Sequence, residues 1–108
     1  MKSWDLRTVD LRPHSPEILS SSTEGRAVVL EIPAGESLKD HQVHERAYLI
    51  VTSGEIQIDA DGAQISGGPG LLCHFEPKER HAVTAVSDAR LLLVLAPWPG
   101  EGHPSQPR

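Results

Sequence analysis

The chain is poor in the residues that staple or stiffen small folds. Among 108 residues there is one Cys, Cys73, so no internal disulfide forms and no thiolate-rich metal knot is available. Aromatic residues make up 4%, and Trp4, Tyr48 and Trp98 are too scattered for a platform on which bases stack. Ten Lys and Arg face fifteen Asp and Glu, a net charge of −5, which excludes broad binding of nucleic acid or an anionic membrane, since both need clustered cations. The longest apolar run, Leu91 to Ala96, is far short of the roughly 20 residues that span a bilayer. Residues 1–10 hold no apolar leader core, so the chain is expected to be cytoplasmic. No window carries apolar residues at helical spacing over three turns. No Ser sits in a Gly-x-Ser-x-Gly elbow, and Gly67-Gly68-Pro69-Gly70 lacks the Gly-Lys-Ser/Thr of a phosphate loop.

What the chain does have is turn chemistry and alternation. Nine Gly and nine Pro punctuate a sequence that is 38% apolar, enough for one core and no more. Val28, Leu30 and Ile32 share one parity, as a half-buried strand requires. Ala47 to Thr52 is a second apolar run, and Ile56 and Ile58 alternate before Asp61-Gly62, a strong hairpin pair. Leu71 to Phe75, His81 to Val86 and Arg90 to Ala96 read as further strands. The expected fold is all-β, with about eight short strands closed into a small barrel or jelly roll. Residues 1–25 are expected to form an N-terminal arm with an edge strand, 26–96 the barrel, and 97–108 a Pro/Gly-rich tail.

Six histidines in so short a chain point to a metal, because neutral imidazole is the commonest ligand for borderline divalent ions. His14, between prolines and serines, and His103, in the tail, read as solvated. His41, His44, His74 and His81 flank the expected strands. The bland alternative is that these are hydrogen-bonded histidines at the mouth of a barrel and that His44-Glu45-Arg46 is a solvated turn. His74 follows Cys73 directly, and neighbours in a strand point to opposite faces, so the two do not chelate one ion together.

The spacing of these residues resembles that of the cupins. Five residues separate Gly35 from His41, twelve separate His41 from Gly54, and ten separate Gly70 from His81, with Pro77 among the last. The fifteen residues from Glu55 to Pro69 match the shortest spacer between the two cupin motifs. Over residues 28–96 the resemblance implies a small cupin-type β-barrel, or jelly roll, that commonly pairs as a symmetric homodimer. Here the arm around Trp4 to Leu11 would contribute to that pairing.

The resemblance also implies a divalent ion held by three histidines and a glutamate, but Val43 and Ala47 occupy two of those positions and only His41 and His81 carry over. A turn shifted by one residue would swing His44 or Glu45 inward. The expected ligands are therefore His41, His44 and His81, with Glu45 and His74 as further candidates, around Zn, Fe, Mn or Ni. Three functions stay open. One is simple metal binding by the barrel histidines. The second is a metal-dependent dioxygenase or isomerase acting on a small oxygenated substrate. The third is a metal-free module that binds or senses a small molecule inside the barrel.

Overall fold

Period-two alternation, broken by Gly, Pro and Asp at the expected points, sets the architecture. The computed structural model describes residues 1–41 and 44–97. Among them are nine strands and no helix: β1 (Glu17–Ser21), β2 (Arg26–Ile32), β3 (Ser37–His41), β4 (Arg46–Ser53), β5 (Ile56–Ala60), β6 (Ala63–Gly67), β7 (Leu72–Phe75), β8 (His81–Ala85) and β9 (Ala89–Ala96). The described residues therefore include no helix long and apolar enough to cross a membrane. The expected tail beyond Pro97, with Trp98 and His103, lies outside the described residues, as do Gln42 and Val43.

The strands form two antiparallel sheets, ordered β1-β2-β9-β4-β7 and β3-β8-β5-β6. Their facing sides make the core. Leu30, Ile32, Ala47, Leu49, Val51, Phe75, Ala89 and Leu91 come from the first sheet, and Ile56, Ile58, Val83 and Ala85 from the second. The all-β jelly-roll expectation is thus met, with one strand more than the sequence pattern implies. The extra strand is β3, Ser-Leu-Lys-Asp-His, which has a single apolar residue and a register shift between Leu38 and His41. It forms because β8 supplies a ladder for it (Ser37↔Thr84, Leu38↔Val83, His41↔His81), not because its own pattern demands it.

Two turns show how local residues fix the register. Asp61 and Gly62 both have positive φ, at 48° and 78°, which is the backbone of the tight hairpin their identity predicts, and Ala60 pairs with Ala63 across it. Gly54, at φ 80°, ends β4 against the β8–β9 turn. A Cβ there would lie 2.1 Å from the carbonyl oxygen of Asp88, so only glycine fits.

The outer face of the larger sheet is partly covered by the chain's own N-terminus. Arg90, pointing outward from β9, donates through Nη1 to the carbonyls of Val9 (2.7 Å) and Leu6 (3.1 Å) and through Nε to Glu31 Oε1 (3.3 Å). His14 N donates to the Glu31 carbonyl, 3.0 Å away, tying the arm down again. Val29, which shares the outward parity of Glu31, is fully buried.

Candidate functional site

The antiparallel order brings particular strand ends together. His41 closes β3, Ala60 closes β5 and His81 opens β8. Their backbones lie side by side, with His81 opposite His41 on one flank and Ala60 on the other. In the other sheet Ala47, near the start of β4, is opposite Phe75, at the end of β7. Phe75 joins the two sheets: its ring stacks on that of His81 with centroids 3.9 Å apart and planes inclined by 11°. Glu45, two residues before Ala47 and of the same parity, is turned to the same interior.

Burial separates the candidates. His81 is 5% exposed and Glu45 4% exposed, and they are the buried ionisable residues of the described interior. Burying a carboxylate or an imidazole is costly unless partners compensate it, and here two such groups lie at one end of the barrel. A hydrogen bond fixes the His81 ring as well, since Nδ1 lies 3.2 Å from the carbonyl oxygen of Glu79. A carbonyl only accepts, so Nδ1 carries the proton, and in the neutral ring Nε2 carries the lone pair. This is the arrangement by which outer groups orient a metal-binding histidine.

The remaining expected residues go elsewhere. His44 is exposed, so of the two residues that a shifted turn could bring inward, Glu45 is the one that enters. His74 lies on the outer face of the larger sheet. Its ring rests on Tyr48 (centroids 5.0 Å apart), and its Nδ1 is 3.7 Å from Glu76 Oε2. Glu76 in turn accepts from Arg46 Nη2 at 2.9 Å, and this guanidinium holds the Glu76 carboxyl below the usual range. Cys73 faces inward from β7 against the core, and burial pushes its thiol pKa up. The side chain of His41 lies outside what the structure describes. His14, read as solvated, is exposed and pairs with Glu36.

Among the described residues no three His, Cys, Asp or Glu side chains converge on one point. Glu45 and His81 supply a carboxylate and an imidazole, a donor pair suited to Zn, Fe, Mn or Ni, but a divalent ion needs at least one more protein donor to stay bound. Phe75 and the Glu79 carbonyl, which set the His81 ring, carry no sequence signal that would have marked them.

The fold is shared with solved structures. An RmlC-like cupin from Desulfovibrio desulfuricans is 27% identical, covers 90% of this chain and 97% of its own, and superposes with a TM-score of 0.79. The Cnp3 cupin domain of Schizosaccharomyces pombe reaches the same TM-score, 0.79, at 16% identity, covering 88% of this chain and 73% of its own. A cupin superfamily protein from Desulfitobacterium hafniense gives 0.75 at 16% identity, with 84% and 85% covered. No curated protein sequence matches the chain. The sequence model of the cupin domain matches residues 28–96, which is most of the chain and all the strands from β3 to β9, so the chain belongs to the cupin family.

Proposed function

We propose that this cupin binds a divalent metal ion at the end of the barrel, with His81 and Glu45 as ligands and His41, opposite His81 in the ladder, as the third. The observation that carries the reading is the His81 ring. It is buried, stacked on Phe75, and held with Nδ1 on the Glu79 carbonyl, so that in its neutral form the lone pair is on Nε2. Glu45, buried at the same end, offers the negative charge that a divalent ion requires. Such an ion, when bound, would act as a Lewis acid toward a small oxygen-bearing ligand. The protein's own part is to orient the imidazole, to keep the carboxylate out of water, and to confine the ligand between the two sheets.

A second reading is a metal-free barrel that holds a small molecule, with His81 and Glu45 as hydrogen-bonding groups. It is favoured by Val43 and Ala47, two apolar residues where the family pattern has a histidine and a glutamate. Elemental analysis of protein purified without tag or chelator, followed by titration of the apo form with Zn, Mn, Fe and Ni salts, separates the two. One equivalent of metal that is lost in both His81→Ala and Glu45→Gln supports the first reading. A wild-type protein that takes up no metal leaves the second.

A further inference from the structure

We propose that the outer face of the larger sheet, from β9 to β7, is a contact surface for a second copy of this chain. The outward residues pair into unbroken cross-strand rows. Val29 lies opposite Leu92, Leu92 opposite Ile50, and Ile50 opposite Leu72, so four large apolar side chains cross β2, β9, β4 and β7 in one line. The next row holds Val94, Tyr48 and His74. Burial fades along the first row, from 0% exposure at Val29 to 60% at Leu72, and Tyr48 is also exposed. The smaller sheet is the internal control. Its outward residues, Ser37, Thr84, Gln57, Ser66, Asp59 and Gln64, are polar, as a sheet face that meets water requires. One chain thus builds a wet outer face and a dry one, and the dry one is bare at its β7 end.

Charge and area select a copy of the chain as the occupant. The chain has a net charge of −5, so two copies repel over most of their surface. On this face the charges cancel in pairs instead, Arg46 Nη2 with Glu76 Oε1 at 2.9 Å and Arg90 Nε with Glu31 Oε1 at 3.3 Å. The two rows between these pairs hold no Asp, Glu, Lys or Arg. A face whose charges sum to zero meets its own image without repulsion, as a two-fold contact requires. With eight residues each in β4 and β9, the face from β2 to β7 measures roughly 500 Å² per copy, or about 1,000 Å² for the pair, the size at which a specific interface begins. This places the contact on the sheet rather than on the arm around Trp4 to Leu11, which is held at the Arg90 end of β9. The side chains involved point away from the space between the sheets, so the contact does not depend on the function proposed above.

The test is sedimentation of the whole chain in EDTA, at concentrations up to about 100 μM. The expected species has twice the 11.7 kDa mass of the chain. Leu72→Glu and Tyr48→Glu each put a new carboxylate into the contact of both copies and are expected to weaken the dimer at least tenfold. Ser66→Glu, the same change of charge on the wet face, and Trp4→Ala, in the arm, are expected to stay within threefold. Hydroxyl-radical labelling of the wild-type dimer gives a reading that needs no variant. Leu72 is more exposed than Ile65 in the single chain, at 60% against 45%, and in the dimer that order of reactivity is expected to reverse. The proposal is overturned by a monomer at every concentration or by a dimer that neither Glu variant weakens. It is equally overturned by a dimer that Trp4→Ala breaks as strongly as Leu72→Glu, or by one in which Leu72 stays more reactive than Ile65.

Discussion

Phe75 lies flat on His81 although the two belong to different sheets, so a ring from one layer sets the heading of an imidazole from the other. Replacing the ring by a branched aliphatic chain keeps most of the apolar volume and removes the flat support. Phe75→Leu is therefore expected to retain the β-rich circular dichroism spectrum while metal affinity drops on the order of tenfold, the size of a lost outer-shell contact. An unchanged affinity in this variant would mean that the Glu79 carbonyl alone orients the ring.

The histidines outside the interior give the complementary result. His44 is exposed and His74 sits against Tyr48 on the outer sheet face. His44→Ala and His74→Ala are expected to bind metal with wild-type stoichiometry and affinity within about threefold, since charges separated by water-exposed surface couple weakly. Loss of the metal in either variant would move the site out of the barrel.

The fold was legible wherever the chain alternates and breaks on its own residues. β2 declares itself through Val28, Leu30 and Ile32, and the β5–β6 hairpin through Asp61-Gly62. β3 was not legible, because a strand of Ser, Lys, Asp and His is held by its neighbour β8 rather than by burial of its own side chains. At the candidate site, His81 could be picked out by spacing. The choice between His44 and Glu45 could not, because adjacent residues ahead of a strand exchange faces when the strand's start moves by one position. Nor does any local pattern announce that Phe75 will meet His81, since their contact is made by sheet packing.

Two glycines offer a controlled comparison. Gly35 and Gly54 share a positive φ, near 80°, but nothing lies within 4 Å of a Cβ at Gly35, whereas Gly54 abuts the Asp88 carbonyl. Gly35→Ala is expected to cost only the left-handed strain, about 1 kcal/mol, and Gly54→Ala several kcal/mol or outright failure to fold. Chemical denaturation of the two variants measures the difference, and equal losses would show that the β8–β9 turn yields to the added methyl.

Arg90 is the clamp of the N-terminal arm. Its two bonds from Nη1 to Val9 and Leu6 and its contact with Glu31 are charge-assisted and part-buried. Arg90→Gln is expected to lower stability by about 1–3 kcal/mol and to speed tryptic cleavage after Arg7. An arm that resists trypsin as well as the wild type would mean that its apolar residues hold it without the guanidinium.

Cys73 gives a pH-dependent reading of the interior. Burial disfavours its thiolate and raises its pKa, so the neutral thiol is the form matched to the fold. The associated stability is complete below the ordinary thiol pKa of about 8.5 and is lost as pH rises through the higher folded value. Alkylation at pH 8 should be slower than that of a free thiol, and Cys73→Ser should flatten the alkaline fall in melting temperature. A rate equal to that of free cysteine would contradict the burial.

The order of the larger sheet has a consequence for how the chain is made. Among the described residues only β1 with β2 and β5 with β6 pair as sequence neighbours, while β9 stands between β2 and β4 and supplies a ladder to each. On the ribosome, β2 can pair with β1 and β4 with β7 early, but the ladder that joins β2 to β4 waits until residue 96 has emerged, so completion of the larger sheet is deferred until β9 is made. The waiting chain is the species most exposed to aggregation and to chaperones.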